Sequence, residues 1–435
     1  MKIGTYNISV SSLVNSLVPK TDINNYYRGM FMNTIMVIPG ASAQIPLIKS
    51  IKKSGYKVVC VNPYENSPAF EYSDYYEQYD IMDVESCIKV AKKYNVCAVL
   101  SDECDIAMPS VAAISEDLDI PSIGSDLAAL YTNKRMMRDF SKEHGFPYAA
   151  YRQCKTLTEA KSFFNSLNSK KMIIKPLDSN SSRGVYTIES EEQLDERFEK
   201  SLSFSRSMKV VLCEEYIEGT EFTVDGIVVN GRHHSLAISK KKHYPHHPNI
   251  ACELYFSNSD PEFDYDKLIR LNNAYVNATE LPFGFTHAEY KFNGEEYILI
   301  EIGARGGGNY ISSHIVPVMT GVDNYSYLIN ETLGIQINNS FEIDASLKSR
   351  CSVLKFFDIN KEDNGKRVSK VLGVDFLKNN PKVLLYDFNF EIGDRLFTAN
   401  DDSKRVGFYI AYGDSREELD ALMKGIETNI KFVFD

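Results

Sequence analysis

Nowhere in the 435 residues does an apolar run approach the roughly 18 residues that a membrane-crossing helix needs. Positive charge is also in short supply. The 48 Lys and Arg against 59 Asp and Glu leave a formal charge of -11, which argues against a protein that neutralises nucleic-acid phosphates. A small-molecule partner is therefore expected, with no nucleic acid and no membrane. Residues 1–30 lack the charged start and apolar core of a signal peptide, so the expected compartment is the cytoplasm. The eight cysteines include no Cys-x-x-Cys pair, and several sit in apolar strand-like stretches. They read as reduced, buried thiols and not as zinc ligands or disulfides.

A chain of this length exceeds one ordinary core, and two or three packed domains are expected. After a leader of about thirty residues without clear pattern, Thr34 to Gly40 reads as a buried strand and Gln44 to Gly55 as a helix. Tyr56 to Asn62 is strand, Asp83 to Tyr94 helix, Val96 to Ser101 strand, Met108 to Leu118 helix, and Ile120 to Gly124 a short strand. This alternation predicts a parallel α/β sheet, with ligands beyond its strand ends near Gly40 to Gln44, Asn62 to Tyr64 and Ser101 to Asp105.

Leu127 to His144 reads as one helix carrying Lys134, Arg135, Arg138 and Lys142. A smaller α/β unit follows to about Gly231, with strands at Met172 to Lys175, Val210 to Glu214 and Glu221 to Val229. Residues 232–250, with three lysines at Lys240 to Lys242, read as a loop too long and basic to be only a connector. Its His243, His246 and His247 suggest metal ligands, but two prolines and no clear fourth ligand favour a mobile substrate loop. Beyond Cys351 come short strands at Val383 to Phe388 and Val406 to Tyr412, then a helix from Ser415 to Asn429.

Three segments carry chemistry. The tract His287 to Gly308 reads as two strands joined at Asn293-Gly294, and Glu301 interrupts the apolar run of the second. A carboxylate there calls for a cation, and Mg²⁺ bound with substrate phosphates suits it. A strict two-residue turn would put Glu289 and Glu301 on opposite faces. An odd-length loop or a bulge puts them on one face, diagonal to each other at roughly 7–8 Å. Met172 to Tyr186 is a strand ending in Lys175, then a loop of small hydroxyl residues with Ser181, Ser182, Arg183 and Gly184. Such a loop can cover phosphates, although it lacks the Gly-Lys-Ser/Thr ending of a Walker loop; a plain surface loop is the alternative. In Val210 to Asp225, Glu214, Glu215 and Ile217 can meet an adenine ring and Glu221 a ribose, or the segment is a solvated hairpin end.

Four segments in this order resemble the ATP-grasp superfamily: Thr132 to Phe140; Ile174 to Pro176 with Ser182 to Gly184; Glu214 to Ile217 with Gly219 to Glu221; and Glu289 with Glu301 and Arg305. The flanking regions resemble those of biotin carboxylase and of phosphoribosylaminoimidazole carboxylase ATPase subunits, and the whole looks like the L-amino-acid ligase type. The resemblance implies an ATP-grasp α/β fold with an N-terminal parallel-sheet domain (1–125), a small grasp subdomain (126–231), a catalytic subdomain (232–340) and a C-terminal α+β domain (341–435). It implies that Lys134, Lys175 and the Ser181 to Gly184 loop hold ATP phosphates, and that Glu214, Glu215 and Ile217 hold adenine. Glu221 would take the ribose, and Glu289 with Glu301 would hold one or two Mg²⁺, or Mn²⁺. Arg305, Lys240 and His287 are the candidate catalytic residues.

Gly303 departs from the pattern, because many relatives carry Asn there as a third metal ligand. The implied activity is an ADP-forming carboxylate–amine ligase acting through an acylphosphate on an amino acid or sugar acid. The alternatives are a bicarbonate-activating carboxylase and an inactive ATP-binding relative. A homodimer is compatible with the resemblance. Arg305 and the backbone of Gly306 to Gly308 are expected to stabilise developing negative charge, while His314 reads as an acceptor-site residue or, more conservatively, a structural histidine.

Overall fold

The computed structural model describes residues 33–177, 184–205, 209–337, 341–400 and 404–435. Its first unit comprises β1 (Thr34–Val37), α1 (Ile45–Lys53), β2 (Lys57–Val61), β3 (Tyr75–Glu77), α2 (Val84–Lys93), β4 (Val96–Leu100) and α3 (Met108–Asp117). The strands pair in parallel in the order β3-β2-β1-β4. Ile35 and Val37 face α1, while Met36 faces the core formed with α2 and α3. Burial on both faces explains the unbroken apolar sequence of these strands.

Ile120 to Gly124, expected as a strand, forms none. Pro121 has no N–H to donate to a ladder, and Gly124 lies at φ +84°, outside strand geometry. The expected helix Leu127 to His144 is two: α4 (Ser125–Leu130) and α5 (Lys134–Glu143). Asn133, in extended conformation, accepts from the N–H groups of Arg135 and Met136 and so starts the second helix afresh.

The next unit holds β5 (Tyr151–Cys154), α6 (Leu157–Ser166), β6 (Met172–Pro176), β7 (Tyr186–Ile188), α7 (Glu191–Ser203) and β8 (Val211–Glu215), an antiparallel sheet ordered β5-β8-β6-β7. Phe163 and Phe164 of α6 and Leu194 and Phe198 of α7 pack on its inner face.

The large sheet begins with β9 (Thr220–Val229), β10 (Arg232–Tyr244) and β11 (His247–Ser257). After α8 (Tyr265–Ala278) come β12 (Gly284–Phe292), β13 (Tyr297–Gly303), α9 (Val316–Thr320) and α10 (Asn324–Thr332). Then follow β14 (Cys351–Phe356), β15 (Val368–Leu372), α11 (Val374–Asn379), β16 (Val383–Phe388), β17 (Gly407–Gly413), α12 (Arg416–Asn429) and β18 (Lys431–Phe434). Eight strands form one antiparallel sheet ordered β13-β12-β9-β10-β11-β14-β17-β16, and β15 pairs with β18. The strand expected at Glu221 to Val229 thus belongs to the large sheet and not to the smaller one.

Residues 232–250 are not a loop. They form most of a long β-hairpin, because their lysines find acids from both faces: Lys240 meets Asp260, Lys241 meets Glu221 and Glu289, and Lys242 meets Glu253. The eight cysteines are all free thiols, buried or partly buried. Among the described residues no helix is long and apolar enough to cross a membrane.

Candidate active site: a charged cleft between the sheets

A cavity of about 470 Å³ opens where the small sheet, the large sheet and the loop after β4 converge. Its floor is the β12–β13 hairpin. Glu289 pairs directly with Glu301, and the register slips by one residue between Glu289 and Tyr290. That bulge sets both carboxylates on one face, opposite each other and not on the expected diagonal. Like charges so placed repel unless cations lie between them. Lys134 Nζ donates to Glu301 Oε1 at 2.6 Å, and Lys241 Nζ donates to Glu289 Oε1 at 2.6 Å and to Glu221 Oε1 at 2.8 Å. Burial alone would raise the Glu221 pKa, but the Lys241 charge outweighs it and holds the value at about 2. Glu289 is likewise held well below the ordinary carboxylate range, as Lys241 and His287 override its burial.

Across the cleft Glu214 is buried between two cations. Arg138 Nε donates to Oε1 at 2.6 Å, and the Lys175 ammonium pairs with Oε2. Arg138 Nη2 donates to the carbonyl of Ile300, so one guanidinium ties β8 to β13. Burial, with Arg138 and Lys134 close by, pushes the Lys175 pKa down despite its partner. Three cations around Glu214 and Glu301 make this end of the cleft suited to an anion such as a polyphosphate.

Arg305 Nε and Nη2 donate to Asp105 Oδ1 and Oδ2 at 2.9 and 2.6 Å, a two-bond fork to the loop after β4. Gly303 makes room for it: a Cβ there would sit 2.5 Å from Asp105 Oδ1. The space beside Gly303 is thus occupied by a carboxylate from the loop after β4. His287 Nδ1 donates to Asp225 Oδ1 at 2.8 Å. Burial would lower the His287 pKa, but Asp225 lifts it to about 9, so the ring is an imidazolium at neutral pH.

The glycine turn differs from expectation. The N–H of Gly306 donates to Asp102 Oδ1 at 3.2 Å and that of Gly307 to Asp225 Oδ1 at 3.1 Å. These two donors anchor the turn and are not directed at a reacting group. A Cβ would lie 2.4 Å from Asp102 at Gly306 and 2.5 Å from Asp225 at Gly307, which is why both are glycine.

Residues 168–313 match the ATP-grasp domain family. The chain carries an ATP-grasp domain. Over 197 residues it is 27% identical to a formate-dependent phosphoribosylglycinamide formyltransferase of Bacteroides thetaiotaomicron, covering 43% of this chain and 48% of the relative. Over 257 residues it is 23% identical to a dapdiamide A synthase of Enterobacter agglomerans, covering 58% and 57%. The chain thus spans about half the length of these curated relatives.

In fold, the chain superposes on the L-amino acid ligase of Bacillus licheniformis with a TM-score of 0.75 at 17% identity, covering 93% of this chain and 99% of that one. It superposes on the biotin carboxylase domain of a 2-oxoglutarate carboxylase of Hydrogenobacter thermophilus, solved with MgADP and bicarbonate, with a TM-score of 0.72 at 14% identity, covering 92% and 91%.

Of the residues expected from the sequence, Lys134, Lys175, Glu214, Glu215, Ile217, Glu221, His287, Glu289, Glu301 and Arg305 line the cleft together. Ser181, Ser182 and Arg183 lie outside the described residues. Gly184 is described, at φ +75°, but its neighbour Val185 is the one that reaches the cavity. Lys240 points to the other side of β10, where its ammonium meets Asp260 at 2.9 Å and the ring of Phe263. Strand alternation puts Lys241 in the cleft instead.

Of the expected strand ends, only Ser101 to Asp105 contributes to the cavity lining; Gln44 and Asn62 make internal hydrogen bonds. His314 bonds Ser313, and its ring meets that of Tyr310 edge to face. Among the described residues no group of three His, Cys, Asp or Glu side chains is arranged as a metal site; His246 bonds the Ala399 carbonyl, and His243 lies 3.5 Å from Glu221. Sequence reasoning gave no site role to Arg138, Asp225 or Lys241, and reached Asp105 only as part of the Ser101 to Asp105 strand end. Arg138 carried a signal, since it follows Lys134 by one helical turn and shares its face.

Proposed function

We propose that the chain is an ATP-dependent, ADP-forming ligase that activates a carboxylate as an acylphosphate and couples it to an amine. The observation that carries this reading is the directly opposed Glu289–Glu301 pair, set in one cleft with Lys134, Lys175 and Arg305. Two facing carboxylates form an all-oxygen donor set that suits a hard cation, and each is now neutralised by a lysine ammonium that a metal–phosphate complex would displace or share. Mg²⁺, or Mn²⁺ in its place, would be held by Glu289 and Glu301 and would neutralise phosphate charge when bound.

In this reading Lys134 and Lys175 hold the phosphates. The backbone of Glu215 to Ile217 meets the adenine, while Glu214, occupied by two cations, positions Lys175 more than it greets the base. Glu221 receives the ribose hydroxyls. The carboxylate oxygen attacks the γ-phosphorus in line as the bond to ADP breaks. The chain's part is positioning and charge stabilisation. Arg305, oriented by Asp105, faces the acylphosphate and then the tetrahedral adduct formed by the amine, from which phosphate leaves. The His287 imidazolium adds a second positive group at the same centre.

The test is a phosphate-release screen over paired carboxylates and amines, with Glu301→Gln as the control. Release that needs both partners and drops roughly 10²–10³-fold in the variant supports the ligase. Release with bicarbonate and no amine would instead select the carboxylase, and full activity of Glu301→Gln would refute the metal assignment.

A further inference from the structure

Most carboxyl groups that line the cleft are answered by a cation. Asp105 pairs with Arg305, Glu214 with Arg138 and Lys175, Glu221 and Glu289 with Lys241, and Glu301 with Lys134. Glu103 lines the same cavity, yet among the described residues no Lys, Arg or His forms an ion pair with it; Glu215, which also lacks one, stands on the other wall at the end of β8. The Glu103 backbone is left-handed at φ +56°, as are those of Asn309 and Tyr310 at +59° and +65°, a conformation that residues other than glycine seldom adopt. The Tyr310 N–H donates to Glu103 Oε1 at 2.8 Å, and the adjacent Asp102 anchors Gly306, so this carboxyl is fixed beside the turn that follows Arg305. The charged and titratable groups around it are Asp102 from its own segment, Arg305 and Tyr310 from beyond β13, and Tyr325 from α10. Burial and the Asp102 charge push the Glu103 pKa well above the carboxylate range, against the pull of Arg305.

We propose that Glu103 is the base of the second half-reaction: it receives the amine as an ammonium ion and takes a proton from it. The inference rests on the ligase reading. A partly buried acid without a cationic partner is a ready host for a cationic ligand, and an amine at neutral pH arrives as one. The ammonium pairs with the Glu103 carboxylate and gives up one N–H proton to it. The freed lone pair then forms the C–N bond at the acyl carbon. As the C–O bond to phosphate breaks, the phosphate leaves with that electron pair and takes up the second N–H proton. The proton on Glu103 passes to solvent, which restores the carboxylate. A raised pKa suits this work, because a more basic carboxylate draws the proton more strongly.

The experiment compares two kinds of nucleophile on the full chain with ATP, Mg²⁺ and a panel of formate, alanine, leucine and gluconate as carboxylates. Methylamine and glycine are protonated at neutral pH and need a base. Hydroxylamine is largely neutral there and needs none, and it traps an acylphosphate as a hydroxamate. Glu103→Gln keeps an oxygen for the Tyr310 N–H but cannot accept the proton. It should lower the rate of amide formation about 10²–10⁴-fold while hydroxamate formation falls less than about threefold. Glu103→Asp, which keeps the charge but withdraws it by one methylene, should fall between the wild type and Glu103→Gln with amines. Unchanged ADP affinity by calorimetry would show that both variants are folded.

Equal loss of amide and hydroxamate in Glu103→Gln would make the residue a structural prop of the turn and overturn the proposal, as would full amine turnover in that variant. A rise in KM for the amine with kcat unchanged would also overturn it, since that is the mark of binding without proton transfer. Absence of hydroxamate from the wild type with every carboxylate would refute the ligase reading itself and take this proposal with it. Hydroxamate from the wild type, with amine turnover untouched in the variant, would refute Glu103 alone.

Discussion

Replacing Arg138 with methionine tests how the two halves of the cleft are held in register. The side chain is almost wholly buried, and it makes a charge-assisted bond to Glu214 and a bond to the Ile300 carbonyl. Methionine keeps much of the volume and loses both. Hydrogen bonds to charged groups contribute about 1.5–3 kcal/mol each, and breaking a buried ion pair typically costs about 3–5 kcal/mol. Glu214 retains Lys175, so the lower part of that range, about 3 kcal/mol, is expected. Lys175, no longer competing with Arg138 for Glu214, should bind the carboxylate more firmly and phosphate less well. ADP affinity should therefore fall at least about tenfold.

Urea unfolding and ADP calorimetry on the wild type, Arg138→Met, Glu214→Gln and the double variant would close a thermodynamic cycle. A coupling of about 2–4 kcal/mol between the two positions is expected. Coupling near zero, with ADP affinity unchanged, would refute the idea that this guanidinium ties β8 to β13.

Gly303→Ala should drive a methyl group against Asp105, costing about 1–3 kcal/mol and lowering phosphate release by disturbing Arg305; Asp105→Ala in the same chain should recover the stability but not the activity, as read by thermal melts and turnover. Lys241→Met should leave Glu221 and Glu289 facing each other without their shared cation, so its melting temperature should drop and become Mg²⁺-dependent to a greater degree than in the wild type. Burial lowers the His233 pKa from 6.5 to about 4. With the folded pKa below the unfolded one, the contribution is intact above about pH 6.5 and lost as pH falls toward 4. That loss amounts to roughly 3 kcal/mol. His233→Gln should flatten this part of the stability–pH curve; an unchanged slope would sink the assignment.

The parts of the fold most legible in the sequence were those where one rule acted alone. The continuous apolar runs of β1, β2 and β4 could only be strands buried on both faces, and the loop after Ser101 followed from their direction. The β12–β13 hairpin was readable down to the need for an odd-length loop or a bulge if its two acids share a face, but not to their direct pairing. Legibility failed where tertiary partners overrode composition. Lys240, Lys241 and Lys242 hid the alternation of β10, since each lysine answers to an acid distant in sequence: Asp260, Glu221 with Glu289, and Glu253. Asp102 and Asp225 could not be connected to the turn at Gly306 and Gly307 before folding brought them there.

The anchoring of that turn on Asp102 has a consequence for building chimaeras. Asp102 accepts from the Gly306 N–H and Ser312, and Tyr325 donates to its second oxygen at 2.6 Å. Tyr310 N–H reaches the neighbouring Glu103 at 2.8 Å. The segment after β4 and the segment 303–325 are therefore one heritable module, although two hundred residues of chain separate them. A hybrid that takes its first domain from one parent and its grasp from another should work only when both segments come from the same parent.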